Sequence, residues 1–455
     1  MTTAENGLDL AVNGGLVVRT SGRAPLNIGV SAGRIVRITS TPLTARRVVD
    51  AGGLLVLPGM VDTHVHLMDP GATDREDFPS GTAAAAARGV TTIIEHTHAE
   101  PIREPGDLTR KVEHLRGRSR VDYGLAAHIW PDRLGQISAL WSAGVAFFKI
   151  FTCTTHGVPG LNNADLLHAF RALAEIDGRC LVHCEDECIT ARAEQMLRAS
   201  GRTDGAILHE WRSREAELVA VQVVCLLARL TGVAATIAHV SSPPVAALIR
   251  HSRSLGADIA AEACPQYFTL REQDVHSAGA LRKFTPPARA RCSEDETEMW
   301  RLVRDGTFSH MSSDHAPSTR AQKDAGDIWD VPFGLPGLDT TMPVLLDAAL
   351  RGRISVEDVV RIYAQAPARR YGLSPRKGSL WPGADADLVL VDPAARWVLH
   401  DEHVLSKAGW SPYSGRELRG AVTSVFLRGH EIAVDGVPVE ERYGQFLPGL
   451  GARYS

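Results

Sequence analysis

A chain of 455 residues with 44% hydrophobic residues and a formal net charge of -4 can bury a large core and has room for more than one domain. The charge leaves no basic footprint for nucleic acid, the opening MTTAENGLDLAVNGG lacks a secretory apolar segment, and no apolar run reaches membrane length. Nucleic-acid and membrane partners are therefore not expected, and a cytoplasmic location is. The seven cysteines, Cys153, Cys180, Cys184, Cys188, Cys225, Cys264 and Cys292, are odd in number and scattered. That argues for reduced, buried small side chains rather than a disulfide framework or a thiolate metal cluster.

Residues 1–57 hold short alternating runs, GLVVRT, APLNIGV and GRIVRI, separated by Gly and Asn turns that predict hairpins. Next comes PGMVDTHVHLMDPG, residues 58–71, with two histidines at alternate positions near the end of an apolar run. Alternate positions on a strand face the same way, so a strand over residues 61–67 would present His64 and His66 as paired imidazoles, donors suited to zinc and its neighbours. The Ala-rich stretch Thr82 to Arg88 predicts the first barrel helix. GVTTIIEHTHAEP then carries His96 and His98 at another strand end. Two readings stand for them: His98 donates to a substrate at the mouth, or both rings pack with ordinary partners. No further ligands accompany them to make a third metal site, and His128 and His156 carry weaker signals.

Four more short apolar runs each carry a potential ligand: VAFFKIF with Lys149, RCLVHCED with His183, VAATIAHVSS with His239 and FSHMSSDHAP with Asp314. The stretches between them are long enough for helices, and such alternation implies an α/β fold, a (β/α)8 TIM-like barrel over residues 58–377. In a barrel the carboxyl ends of different strands converge on one mouth, where four histidines, a lysine and an aspartate would meet. An ammonium beside two divalent cations would suffer both burial and repulsion. Carbamylation by carbon dioxide removes that charge and turns Lys149 into a bridging carboxylate. Read alone, Asp314 is a turn or helix-cap residue; with the other ligands it takes a catalytic role. From residue 378 onward, ADLVLVD, AVTSVFLRG and HEIAVDG repeat the opening style. Residues 1–57 and 378–455 are therefore expected to pair into a small β-sandwich domain built from both termini.

The motifs together, from DAGGLLVLPGMVDTHVH through GVTTIIE, FFKIF, LVHCED, IAHVSSPP, AEACPQYFTL, FTPPAR, SSDHAP and GLPGLDT to KGSLWPGADADLVLVDP, resemble the amidohydrolase superfamily. Within it they resemble the cyclic amidases: allantoinases, hydantoinases, dihydropyrimidinases and dihydroorotases. The resemblance implies that His64 and His66 bind one divalent metal and His183 and His239 a second, with carboxylated Lys149 bridging and Asp314 binding the first metal and moving protons. Zinc is the first expectation, with manganese or cobalt as alternatives. It further implies hydrolysis of a cyclic amide or ureide ring by a hydroxide between the metals, and a homotetramer.

Substrate positions are expected at Thr154, Thr285, Phe333, Gly334 and His98. Dihydroorotases carry an arginine two residues after the HxH pair; here Met68 stands there and cannot grip a carboxylate. Five residues after Lys149, where hydantoinases of the D-selective kind place a tyrosine, this chain has Thr154, as allantoinases more closely do. Phe333 in place of an asparagine points to an apolar pocket wall suited to an aromatic or bulky substituent. The alternatives are dihydroorotase or dihydropyrimidinase activity, or a non-catalytic scaffold on the same fold.

Overall fold

A computed structural model describes residues 7–453. The amino-terminal runs form β1 (Leu10–Arg19), β2 (Gly22–Ser31), β3 (Arg34–Thr39), β4 (Arg47–Asp50) and β5 (Leu55–Pro58). The β2–β3 hairpin turns on Ala32 and Gly33, whose φ of 48° and 76° give the pair of left-handed residues that a tight hairpin of this hand needs. A register shift between Val12 and Gly15 divides β1, so that its first half pairs with β4 and its second with β5.

The barrel strands are β6 (Met60–Val65), β7 (Val90–Glu95), β8 (Asp122–Leu125) with its continuation β9 (Ala127–His128), β10 (Phe148–Phe151), β11 (Arg179–His183), β12 (Ala234–Ile237), β13 (Ile259–Ala263) and β14 (His310–Met311). Neighbouring strands pair in parallel from β6 to β8 and from β9 to β14. Nearly all their residues are buried, as expected of strands covered on both faces. The ring closes through a parallel bridge between Val65 and His315, where the His66 N–H donates to the His315 carbonyl at 2.8 Å.

Helices follow the strands. The first, Phe78–Ala87, is capped by the Asp77 side chain on the Ser80 N–H and buries eight of its ten residues. It is apolar all round because the barrel lies on one side and the terminal sheet on the other.

The chain then returns to the first sheet as β15 (Leu388–Val398), β16 (Glu417–Leu427), β17 (His430–Val434) and β18 (Val437–Pro438). β15 lies antiparallel to β5, so both ends of the chain share one nine-stranded sheet curled around its own core of Val12, Ile28, Val56, Leu388 and Phe426. Lys377 joins this sheet to the barrel: its buried ammonium lies 2.6 Å from Asp122 on β8 and 2.8 Å from both Asp385 and Asp387. The last stretch leaves the sheet and runs along the barrel, with Gln445 N–H on Asp122 at 2.9 Å and Gly449 N–H on the Gly144 carbonyl at 2.8 Å. All seven cysteines are free. Five are buried, but Cys188 and Cys292 are exposed because each sits at the start of a surface helix, a correction to the expectation that all were core residues. Among the described residues no helix is long and apolar enough to cross a membrane.

Candidate metal centre and active site

The expected ligands meet at the carboxyl ends of the barrel strands. His64 lies within β6 and His66 just past its end, and both turn toward one carboxylate oxygen of Asp314: His64 Nε2 at 3.1 Å and His66 Nε2 at 3.6 Å. Lys149, on β10, places its Nζ 3.2 Å from His64 Nε2. His183, ending β11, sets its Nδ1 2.9 Å from Nε2 of His239, which follows β12. The His64 and His239 rings, 5.5 Å apart between centroids, join the two halves. His64, His66, Lys149, His183 and His239 are all buried, and Asp314 is mostly so.

Three of the four inward-facing rings are oriented from behind. His64 Nδ1 donates to Glu262 at 2.6 Å, His66 Nδ1 to the His96 carbonyl at 2.7 Å, and His183 Nε2 to Glu185 at 2.8 Å. With the outer nitrogen holding the proton, the inner one carries a free lone pair, the tautomer a metal requires. Burial keeps the rings neutral: it lowers His66 to about 4 and drives His239 well below its ordinary value. Burial alone would raise the Asp314 carboxyl, yet the facing rings of His64, His66 and His239 draw it well below the usual carboxylate range. Glu185 is likewise drawn down to about 2, chiefly by Arg212 and His183 against the effect of burial. Four imidazoles, an ionised carboxylate and an amine whose proton is loosened by burial to about 8 fit a pair of divalent cations.

Strained backbone marks the same place. His239, Asp314, His156 and Met68 have φ of 35°, 51°, 53° and 55°, a left-handed conformation that non-glycine residues adopt at a cost.

Of the expected substrate residues, Thr285, Phe333, Gly334 and His98 line the cavity over these ligands, whereas Thr154 does not. Thr154 is exposed and its N–H is held by the Glu187 carboxylate. Beyond Phe151 the chain closes a turn through the Thr155–Val158 bridge, and this swings His156 rather than Thr154 to the mouth. His156 stacks on His98 at 4.3 Å with the rings 7° from parallel. Gly334, with φ of 118°, passes so close to Ala316 that an added Cβ would lie 2.2 Å from its carbonyl oxygen. His96 stands behind His66; among the described residues its two ring nitrogens have no hydrogen-bond partner, and its carbonyl accepts from His66 Nδ1. Glu262 and Glu185, which hold the rings of His64 and His183, are residues that sequence reasoning passed over. The one signal was an acidic residue inside each of the apolar runs IAAEA and LVHCED. Met68 is buried, with the Thr97 hydroxyl 3.6 Å from its sulfur, and does not line the cavity over the ligands.

Comparison with known proteins agrees with this arrangement. An allantoinase of Rubrobacter xylanophilus is 35% identical over 447 residues, covering 96% of this chain and 97% of its own. In solved structures, the L-hydantoinase (dihydropyrimidinase) from Arthrobacter aurescens superposes with a TM-score of 0.93 at 30% identity, covering 97% of this chain and all of its own. A D-hydantoinase superposes at 0.91 and 28% identity, with 97% and 98% covered. Since the model of the Amidohydrolase family also matches residues 55–432, which contain every ligand just described, the chain belongs to that family.

Proposed function

We propose that the chain is a metal-dependent hydrolase that opens the cyclic amide bond of a hydantoin-like ring, as the allantoinases and hydantoinases it resembles are named for doing. One observation carries this reading. Six groups from five strand ends gather at one place, His64, His66, Lys149 and Asp314 in one set and His183 with His239 in the other, while the outer nitrogens of three of the rings are already engaged.

We propose that His64, His66 and Asp314 would hold one cation and His183 and His239 a second, with Lys149, as its carbamate, serving both. Zinc fits this mixed nitrogen and oxygen set, and manganese and cobalt are its alternatives. Bound cations of this kind supply an acidified water and polarise a carbonyl. The remaining work belongs to the chain. Asp314, ionised at neutral pH, accepts the proton of the attacking water and delivers it to the ring nitrogen as the C–N bond breaks. Thr285 and the Gly334 backbone border the ring, and the Thr285 hydroxyl, fixed on Glu185 at 2.7 Å, sets that border. His98 and Phe333 form the opposing wall.

A bulky 5-substituent is favoured over the ureido group of allantoin by the phenyl ring of Phe333, which packs 5.3 Å from Trp211 at the entrance. The deciding experiment is turnover of allantoin, hydantoin, 5-substituted hydantoins, dihydrouracil and dihydroorotate by protein carrying about two metal ions per chain. Opening of hydantoin rings, with dihydroorotate untouched, supports the reading. Metal-loaded protein that opens none of them would overturn it, and protein that resists metal loading would make the chain a scaffold. We also propose a cytoplasmic homotetramer. The exposed Val219, Leu226 and Leu230, on one face of the helix Arg214–Thr231, support association, and sedimentation checks it.

A further inference from the structure

Outside the metal ligands lies a vestibule of about 370 Å³ that shares His98, His156 and Phe333 with the inner cavity. Its other walls include Trp211 and Trp329, which suit an apolar occupant, but also Arg75 and Lys283. The Arg75 Nε donates to the Pro317 carbonyl at 3.1 Å, while its Nη2 is buried with no partner. Lys283 is 2% exposed and its Nζ sits 4.4 Å from the Phe333 ring centroid, with a single weak hydrogen bond of 3.4 Å to the Trp329 carbonyl. Behind them a third cation, Lys323, rests on the Lys283 and Pro332 carbonyls at 3.1 and 2.8 Å.

Among the described residues none of these three has a carboxylate within 4.0 Å. Asp74 acts on Arg75, and Glu194 and Asp330 on Lys283, only at longer range. The fully buried cations Lys111, Lys377 and Arg212, by contrast, are paired with Glu95, with three aspartates and with Glu185 respectively. Burying like charges together without a counter-ion is costly, and burial correspondingly lowers Lys283 to about 8 and Arg75 to about 10. An aromatic box alone would explain Trp211, Trp329 and Phe333 and leave the cations unexplained.

We propose that the vestibule receives an anionic group at the end of the substrate's 5-substituent, so that the preferred ring is the hydantoin of an acidic amino acid. The proposal rests on the ring-opening activity assigned above and names its substrate class. Water adds across the ring C–N bond, oxygen to the carbonyl carbon and hydrogen to the nitrogen. The distal carboxylate, unchanged, pairs with Lys283 and Arg75 throughout.

The test compares 5-(2-carboxyethyl)hydantoin with its isosteric amide, 5-(2-carbamoylethyl)hydantoin, and with 5-benzylhydantoin, using the metal-loaded enzyme. The expected result is a kcat/KM roughly tenfold to a hundredfold higher for the acid, the range of charge-assisted pairing, shrinking as salt is raised. Lys283→Met and Arg75→Gln should each draw the acid-to-amide ratio toward one, mainly through KM, and Lys283→Arg should restore it. Calorimetric binding of the acid and the amide gives a readout that needs no turnover, so failure of ring opening is told apart from failure of anion recognition. Equal or weaker binding and turnover of the acid, or a preference for the benzyl compound, would overturn the proposal. So would a ratio unmoved in folded Lys283→Met and Arg75→Gln proteins.

Discussion

Lys149 shows how much one side chain decides. On β10 between Phe148 and Ile150 it is buried, and the cost of burying its charge brings the amine to about 8. Only the neutral amine reacts with carbon dioxide. Reactivation of metal-stripped enzyme at fixed dissolved carbon dioxide should therefore speed up about tenfold per pH unit below 8 and level off above it, measured as regain of bound metal. Lys149→Ala should abolish metal binding and activity, with partial rescue by short carboxylic acids, as metal analysis and turnover would record. Glu262→Gln keeps the shape but weakens the grip on His64 Nδ1, so metal affinity should fall about 10- to 100-fold in a chelator competition. The proposed ligands stood out in the sequence because each ends or lies within a short apolar run. Glu262 and Glu185 were not, since their roles arise from contacts across 198 residues for the first and from the shared Arg212 and Thr285 neighbours of the second.

At the scale of the element, spacing predicted strands and helices well but not the turns beyond them. The strand at the first histidine pair ends at Val65 rather than continuing through residue 67, yet His66 keeps its direction because its N–H pairs with His315. Counting five residues from Lys149 pointed to Thr154, and the turn after Phe151 instead presents His156, whose φ of 53° no spacing rule could reveal. The helix Phe78–Ala87 follows the ligand loop directly, and its Asp77 cap also pairs with Lys407. Asp77→Ala should cost about 1 kcal/mol or somewhat more in denaturant unfolding, with the midpoint shifted and the slope unchanged.

For the whole molecule, two sets of strands far apart in sequence are held as one body by a buried charge cluster. Lys377, Asp122, Asp385 and Asp387 lie where the terminal sheet meets the barrel, and Arg428 of the loop after β16 also reaches Asp122. Lys377→Met would leave Asp387 buried without a cation, while Asp122 keeps Arg428 and Asp385 keeps Arg376, and should destabilise the fold by about 3–5 kcal/mol, read from thermal unfolding near neutral pH. The alternating runs at both ends made the shared sheet foreseeable. The path of residues 443–453 along the barrel was not, because backbone pairing such as Tyr123 with Phe446 leaves no periodic trace.

The seam of the barrel has a consequence for how this protein tolerates loss of its ions. His66 and His315 exchange the hydrogen bond that completes the ring, and each is itself a ligand position or the immediate neighbour of one, since Asp314 precedes His315. The cations would thus act as a rivet through the joint between the first and last staves. Chelation should loosen that joint before the rest of the cylinder, so amide exchange at His66 ought to quicken while the strands opposite, β10 and β11, stay protected.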